Sequence, residues 1–342
     1  MLISPVSLIM ASLLYSNFKD NKYNYNKITE DDLKFISVLV PAYNEEKNIK
    51  KKIENILSLD YPKNKLEIII GSDGSYDNTV NICKEYARHF NNIICLDEKR
   101  GGKVNIINRM VSIAKGDYIL ITDADTQIIT KDALKKAQSL NKEFVSAKII
   151  HPKKSRKNLD YKIRSFESKF GKLLTSNGAF MFINKHFYFP IPEYIIADDF
   201  YIPLQVLINK GETILCEEIV CSSNDEDLNF FQYLKKRIRV IKGGMQTAFT
   251  LVGEIFLHDF LAFVLLLSHK VLRWYILPIS LLNIYIFFGK NALLISVLII
   301  FGLLFIKKTR ILILELIIPI ILTFNIKGIL NKNFSGWDTE RT

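Results

Sequence analysis

Short apolar segments alternate with amphipathic ones over residues 35–122, and this alternation constrains the fold more than any other feature of the chain. The apolar segments begin about every 25 to 30 residues. Between them, apolar residues recur at the three- and four-residue spacing of a helix that is buried on one face. Continuous apolar strands that alternate with such helices are typical of βαβ units around a buried parallel sheet. The predicted strands are 35–40, 66–70, 93–96 and 118–122, and the predicted helices lie within 45–58, 77–90 and 103–114.

Three of the predicted strands run directly into acidic or small polar residues. These segments read VPAYNEE (40–46), GSDGSYDNT (71–79) and TDADT (122–126). In open parallel sheets, ligands bind beyond the carboxyl ends of the strands. The three segments are therefore predicted to converge on one binding site.

Two acids, Asp123 and Asp125, stand one residue apart after the last of these strands. Neighbouring carboxylates repel and raise each other's pKa unless a positive charge lies close to them. On an extended backbone both side chains point to the same side. That arrangement suits Mg²⁺ or Mn²⁺, which prefer oxygen ligands and bridge to phosphates. A solvated acidic turn explains the same pattern, and the residues alone leave both interpretations open.

Asp73 lies in a glycine-rich turn after the second predicted strand, between Gly71 and Gly74. Glycine permits a tight turn and a close approach of backbone to a ligand. A carboxylate in that position would accept hydrogen bonds from a nucleobase N–H or a ribose hydroxyl. An Asp-Gly turn that only reverses the chain is the alternative.

Three later segments carry further candidates. Lys103 follows a glycine pair, where it would pair with phosphate, brace an acidic loop or simply begin a helix. Asp198 and Asp199 precede an apolar helical pattern, so one of them is either a general base or a charge that complements the helix dipole. Arg237 and Arg239 suit bidentate binding of phosphate, and equally the contact of a basic helix with anionic lipid.

The composition narrows the class of partner. Of the 342 residues, 49% are hydrophobic, and the formal net charge is +11. A basic balance is compatible with an anionic substrate or a membrane surface. The sequence has no RNA-binding signature and no repeated basic–aromatic pattern, so we expect no nucleic-acid partner. None of the four cysteines forms a C-x-x-C pair, so we expect no zinc site.

Apolar segments towards both ends predict an integral membrane protein. Lys19, Lys22 and Lys27 follow the first apolar run and place residue 20 onward in the cytoplasm by the positive-inside rule. The C-terminal apolar runs are slightly short for spanning, and those around 289–291 are alternatively re-entrant. The predicted divisions are an N-terminal membrane anchor (1–18), a globular domain (30–250), an interfacial helix (256–274), transmembrane helices (275–330) and a C-terminal tail (331–342).

Taken in order, these motifs resemble the family 2 glycosyltransferases, in particular the membrane-integrated branch near the cellulose, chitin and hyaluronan synthases. The resemblance runs from about residue 35 to the C-terminus. Several ordered matches are far more specific than any single one. Besides the segments above, it rests on GGKVNIIN, NGAFMFINK, ADDF, RIRVIKGGMQ, SHKVLRW and GWDTER.

The resemblance implies a GT-A fold, Rossmann-like with a mostly parallel sheet, for residues 30–250. It also implies an inverting, metal-dependent hexosyltransferase that takes a sugar from a nucleotide diphosphate sugar, usually a UDP-sugar. The acceptor would be a hydroxyl of a lipid-linked molecule or a glycan, at the cytoplasmic face of the plasma membrane and in contact with membrane lipid. The cofactor would be Mg²⁺ or Mn²⁺.

The family's residue roles carry over onto matching positions. Asp199 would be the catalytic base, and Asp125 together with Asp123 would hold the metal. Within the donor site, Asp73 would contact the base or ribose. The nucleotide-sugar site as a whole would comprise Pro41, Tyr43, Glu45, Asp73, Lys103, Asp123, Arg237, Arg239 and Gln246.

Two departures from the family pattern bear on the product. The processive synthases carry Q-x-x-R-W, whereas here the aligned residues 236–240 read KRIRV. Without that tryptophan, transfer of one or a few sugars is favoured over synthesis of a long polymer, and a processive polysaccharide synthase is the alternative. The family's Glu-Asp pair is Asp-Asp here, at Asp198 and Asp199.

An inactive GT-A-like binding protein is the alternative from another class. A Rossmann-type oxidoreductase is disfavoured because no G-x-G-x-x-G follows the first strand.

Overall fold

A mixed eight-stranded sheet organises the computed structural model, which describes residues 23, 25–150, 159–223, 230–275, 318 and 320. In space the strands follow the order β3-β2-β1-β4-β7-β6-β8-β5. They are β1 (Ile36–Ala42), β2 (Leu66–Asp73), β3 (Ile93–Glu98), β4 (Tyr118–Ile121), β5 (Thr126–Ile128), β6 (Phe144–Ile150), β7 (Met181–Asn184) and β8 (Thr213–Ser223).

Helices connect and follow these strands. Short 3₁₀ turns lie at Lys63–Lys65 and Lys185–Phe187, and a π-helical turn lies at Leu267–Val271. The α-helices are α1 (Ile49–Leu57), α2 (Thr79–His89), α3 (Lys103–Ile113), α4 (Ala133–Ser139), α5 (Leu159–Lys169), α6 (Asp198–Ile208), α7 (Phe230–His258), α8 (Phe260–Leu266) and α9 (Leu272–Trp274).

The first half of the sheet is parallel, and the second half is mixed. Strands β1 to β4 pair in parallel, which confirms the predicted strands and the Rossmann-like arrangement of this half. The strand β7 then runs antiparallel to both β4 and β6. The strand β8 is parallel to β6 and antiparallel to β5. All four predicted strand ends therefore reach the same edge, and the mixed half extends the sheet beyond the prediction.

Both faces of the parallel half are covered by helices, as its uninterrupted apolar strands require. Alternate side chains of β1 enter different clusters, because successive residues of a strand face opposite sides. Val38 and Val40 pack with the apolar faces of α1 and α2. Leu39 packs on the other side with α3, α6 and α7. The predicted helices are confirmed as α1, α2 and α3.

The long helix α7 continues past residue 250 and leads into the region predicted to be interfacial. Residues 256–274 form the end of α7, then α8, the π-helical turn and α9. One side of this region packs into the core through Ala262, Leu265 and Leu266. The other side leaves Phe256 and Leu257 51% and 76% exposed. The region is thus amphipathic in its burial.

Several membrane predictions fall on parts of the chain that the structure does not describe. The predicted anchor (1–18) and tail (331–342) lie outside the described residues, and so does the region 275–330 except for residues 275, 318 and 320. Among the helices that are described, none is long and apolar enough to cross a bilayer.

Candidate active site

A cavity of about 450 Å³ opens at the carboxyl edge of the parallel strands. It extends from the segments that follow β1 and β4 to the start of α6 and the basic part of α7. Asp73 and Gln246 are the two predicted site residues that do not line it. Those that do line it are Pro41, Tyr43, Glu45, Lys103, Asp123, Asp125, Asp199, Arg237 and Arg239.

Asp73 lies behind the wall of the cavity and organises the loop that forms this wall. Its carboxylate accepts hydrogen bonds from the backbone N–H groups of Gly101 and Gly102, at 2.7 and 3.0 Å. The guanidinium of Arg100 donates to the same carboxylate at 2.8 Å and lies 3.5 Å from the centre of the Tyr43 ring. At Gly74, φ is +70°, and a Cβ there would approach the backbone N of Arg100 to 2.8 Å. Asp73 is thus a buried anchor for the start of α3.

Lys103, in the first turn of α3, connects acids from two different elements. Its ammonium lies 2.9 Å from Asp123 Oδ1, after β4, and 3.0 Å from Asp198 Oδ2, at the start of α6. Burial lowers the pKa of Lys103, but the nearby carboxylates of Asp123 and Asp198 more than compensate and raise it above its ordinary value. The lysine therefore remains a cation. It holds the acidic turn, residues 122–126, close to the start of α6.

The side chains of the acidic turn supply only some of the ligands that a divalent cation needs. Among the described residues, no cluster of three or more His, Cys, Asp or Glu side chains could hold a metal. Mg²⁺ commonly takes one or two carboxylates and completes its shell with water and substrate phosphates. Asp123 is already paired with Lys103, and Asp125 lines the open cavity. The donor set thus fits a cation that arrives together with a diphosphate.

Gly178 allows the acidic turn to pack against the loop before β7. Its carbonyl accepts a hydrogen bond of 2.7 Å from the backbone N–H of Asp123. A Cβ at this position would lie 1.9 Å from Asp123 Oδ2. A side chain at this position would force the Asp123 carboxylate out of its present orientation, and the place of Gly178 in the matching segment NGAFMFINK did not reveal this contact.

The surroundings of Asp199 raise the pKa of its carboxyl group. It lies in the first turn of α6, and its backbone carbonyl accepts a 2.8 Å hydrogen bond from Ser176 N–H. Burial and the negative charge of Asp198 raise the pKa of Asp199 to about 6, while the positive charges of Lys103 and Arg164 oppose this shift. A carboxylate with such a pKa is mostly deprotonated at neutral pH and still accepts a proton readily.

The basic part of α7 contributes two side chains to the cavity and one support behind it. Arg237 and Arg239 line the cavity, together with Val240, the residue that the sequence comparison predicts in place of the processive synthases' tryptophan. Gln246 is fully buried, and its side-chain carbonyl accepts a hydrogen bond of 3.2 Å from Ile196 N–H. It therefore braces the loop that leads to Asp198 rather than facing the cavity.

Sequence reasoning missed Lys52, Arg164 and the pair His269–Glu167. Lys52 is completely buried beneath the acidic turn, and burial lowers its pKa to about 8 although Cys221, Asp123 and Asp125 oppose this. His269 lines the cavity and lies 2.9 Å from Glu167. A signal for Lys52 was available, because helical spacing places it on the same face as the apolar residues of α1.

The sheet and the acids gathered around Lys103 at its carboxyl edge define a class of protein. This class is the GT-A-like α/β proteins, which have their site at the carboxyl ends of parallel strands. Residues 37–199 match the family model described as Glycosyl transferase family 2. The match covers slightly less than half of the chain and supports a glycosyl transferase family 2 domain over these residues. The prediction of a glycosyltransferase is confirmed at the level of this domain.

Two curated relatives are similar over part of their length. The poly-beta-1,6-N-acetyl-D-glucosamine synthase of Staphylococcus aureus is 36% identical over 129 residues, which cover 36% of this chain and 30% of that protein. The beta-monoglucosyldiacylglycerol synthase of a Nostoc species is 32% identical over 127 residues, which cover 36% of this chain and 27% of that protein. The chain thus matches less than a third of either relative.

A solved structure is similar over almost the whole chain. The mannosyltransferase PcManGT from Pyrobaculum calidifontis, in complex with GDP-Man and Mn²⁺, superposes with a TM-score of 0.73 at 20% identity. The match covers 98% of this chain and 95% of that one. It confirms the GT-A-like fold. The finer placement in the membrane-integrated branch stays a prediction.

Proposed function

We propose that this protein is an inverting glycosyltransferase that moves a sugar from a nucleotide diphosphate sugar to a hydroxyl of a lipid-linked or glycan acceptor. The observation that carries the proposal is the position of Asp199. Its pKa of about 6 belongs to a base, and it lines the same cavity as the acidic turn and its lysine. An inverting transfer needs one base, which takes the proton of the acceptor hydroxyl as that oxygen attacks the anomeric carbon.

The donor would lie between the wall built on Asp73 and the acidic turn. The Tyr43 ring offers a flat surface on which a nucleobase could lie, and the loop at Gly101 brings backbone close to the cavity. Asp73 would act by holding that loop, because it is 1% exposed and already accepts several hydrogen bonds. Arg237 and Arg239 would contact the diphosphate or the acceptor, since guanidinium groups bind phosphate oxygens in pairs.

Asp125 would hold Mg²⁺ or Mn²⁺, with Asp123 beside it. Such a cation stabilises the negative charge that grows on the departing diphosphate. Lys103 would keep Asp123 oriented through their 2.9 Å ion pair. The chain's own residues thus separate two tasks, because one acid accepts a proton while the others orient and neutralise the leaving group.

The acceptor would reach the cavity from the side of α7 and α8, at the cytoplasmic face of the plasma membrane. Exposed apolar side chains support contact of this side with lipid, among them Leu257 and Phe260, which are 76% and 65% exposed. Transfer of one or a few sugars remains favoured over polymer synthesis because Val240 stands in place of the tryptophan platform. Trp274 also lines the cavity, so a processive synthase remains the second candidate.

The test uses membranes that contain the full chain, Mn²⁺ or Mg²⁺, and a panel of radiolabelled UDP-sugars with GDP-mannose added. Products are partitioned between an organic phase and an alcohol-insoluble pellet. Label in the organic phase that disappears with Asp199→Asn would support transfer to lipid. Label in the pellet would support the processive synthase instead.

A second measurement separates donor binding from transfer. We expect Asp125→Ala to lose metal-dependent donor binding, and Glu193→Gln, which changes another acid on the cavity wall, to retain it. If no sugar nucleotide is bound or consumed by the unaltered chain, the inactive GT-A-like binding protein becomes the better description.

A further inference from the structure

A buried lysine from α1 lies beneath the acidic turn and makes all of its described hydrogen bonds to the two residues that flank this turn. Lys52 Nζ donates to Thr122 Oγ1 at 2.6 Å, to Thr126 O at 3.0 Å and to Thr126 Oγ1 at 3.1 Å. An ammonium group has three N–H donors. Three acceptors surround this one, so its donor capacity matches the turn.

Both threonines pass this constraint on to the backbone around Asp123. Thr122 Oγ1 donates to Ala179 O at 2.6 Å, next to Gly178, whose carbonyl accepts the Asp123 N–H. Thr126 Oγ1 donates to Asp123 O at 2.9 Å. One side chain therefore ties the entry and the exit of the turn 122–126, and links it to the loop before β7.

The charge of Lys52 is compensated at longer range. Among the ion pairs of the described residues none includes Lys52, although its side chain is completely buried. A buried charge is costly unless it is hydrogen-bonded and balanced by opposite charge. The carboxylates that act on it are those of Asp123 and Asp125, which belong to the turn that its hydrogen bonds hold. Its position thus also offsets the mutual repulsion of these two acids.

We propose that Lys52 is a positioning residue that preforms the acidic turn, so that Asp123 and Asp125 face the cavity as a cation site before the donor arrives. The inference rests on the proposed function, in which Asp125 holds the divalent cation. It does not follow from charge alone. A cation near a metal site weakens metal binding by repulsion, so a purely electrostatic role predicts tighter binding when the lysine is neutralised.

The experiment measures Mn²⁺ binding to the purified full chain by electron paramagnetic resonance, without and with UDP or GDP. The variants are Lys52→Met, which keeps length but removes charge and donors, and Thr126→Val, which removes one hydroxyl from the network. Lys51→Met is the matched control, since Lys51 is the exposed neighbour in α1. Circular dichroism and a melting curve establish that each variant is folded.

We expect the Mn²⁺ dissociation constant to rise at least tenfold in Lys52→Met, to rise several-fold in Thr126→Val, and to stay unchanged in Lys51→Met. In transfer assays, the donor KM of Lys52→Met should rise at low Mn²⁺ and recover at excess Mn²⁺, with kcat restored. A lysine that only filled space in the core would show no such rescue by the metal.

Equal or tighter Mn²⁺ binding by folded Lys52→Met would overturn the positioning role while leaving the proposed function intact. If Lys52→Met does not fold, Thr126→Val decides, because unchanged Mn²⁺ binding by that variant would equally overturn it. If the unaltered chain binds no Mn²⁺ with or without nucleotide, the metal part of the proposed function fails and the role of Lys52 falls with it.

Discussion

The acids of the parallel half of the sheet and the acid at the start of α6 have opposite surroundings. Asp73 and Asp123, which follow β2 and β4, are held by backbone N–H groups or by directly contacting cations. Asp199 lies in the same region, but burial and the adjacent Asp198 dominate its surroundings and raise its pKa. Lys103 contacts Asp198 rather than Asp199.

This difference shows how one cavity can assign different tasks to the same functional group. A carboxylate with a cation or several N–H partners is a fixed negative charge that orients a loop or a metal. A carboxylate that lacks such stabilisation holds a proton more tightly and becomes a base. The neighbours of each acid, rather than its residue type, decide between binding and proton transfer.

The substitution Asp199→Asn tests this comparison with the largest expected effect. We expect transfer to fall by roughly 10² to 10⁴-fold, the usual contribution of a general base. Donor binding should stay nearly unchanged, because the paired acids are untouched. Initial rates of sugar transfer and a nucleotide titration measure the two effects. Loss of donor binding to the same degree would mean that Asp199 belongs with the binding acids.

Asp73→Asn tests the opposite side of the comparison. The amide cannot act as an ionic partner of Arg100, and it replaces one acceptor of the Gly101 and Gly102 N–H groups with a donor. We expect the free energy of unfolding to fall by about 2 kcal/mol, in line with hydrogen bonds to charged groups. Donor affinity should fall with it, while the pH at which transfer is half-maximal stays the same. Chemical denaturation and a nucleotide titration check these expectations, and retained stability and affinity would remove Asp73 from the anchor role.

Gly178→Ala tests how closely the acidic turn is packed. The added methyl group would meet Asp123 Oδ2 at 1.9 Å, so we expect a loss of about 1–3 kcal/mol in stability, together with weaker Mn²⁺ binding. Gly253→Ala is the matched control, because Gly253 lies within α7 and a Cβ there meets nothing within 4 Å. That control should stabilise the protein by about 0.5–1 kcal/mol. Equal melting temperatures for the two variants would contradict the close packing.

The pH dependence gives the smallest effect and sharpens the assignment of the base. Transfer should fall about tenfold for each pH unit below about 6, as Asp199 takes up its proton. The stability of the protein should change with pH in the opposite direction to the rate of transfer. Because the folded pKa lies above the ordinary value of 3.8, the contribution of Asp199 to folding is fully present below that value and is lost as pH rises through about 6. Both trends should be absent in Asp199→Asn, and rates and melting curves from pH 4 to 8 would reveal them.

The sequence predicts the parallel half of the fold well because its signals are local. Continuous apolar runs and helical spacing identify β1 to β4 and α1 to α3 within a few residues. The mixed half is different. The strand β5 has three residues, and β7 joins the sheet beside β4 from about 60 residues further along the chain. Such pairing depends on distant partners, and short strands leave no clear period in the sequence.

The candidate site divides in the same way. Motifs at strand ends predict that Asp123 and Asp125 lie at the edge of the sheet where ligands bind, since parallel strands end at one edge. They leave open whether Lys103 pairs with phosphate, braces the acidic turn or only begins a helix. They do not show that Asp73 faces a backbone loop or that Gln246 braces Ile196, because burial decides where those side chains point. The same limit applies to Lys52, whose partners lie 70 and 74 residues away.

By itself, the sequence determined that the chain builds the parallel half of an α/β sheet and brings acids to its carboxyl edge, because alternation of apolar segments and chain direction suffice for both. Only the tertiary structure decided what each acid does. It placed Lys103 between Asp123 and Asp198, Lys52 beneath the turn, and Asp199 in surroundings that favour its protonated form. Charge and desolvation act through space over a few ångströms, and positions far apart in the chain come that close only in the folded protein.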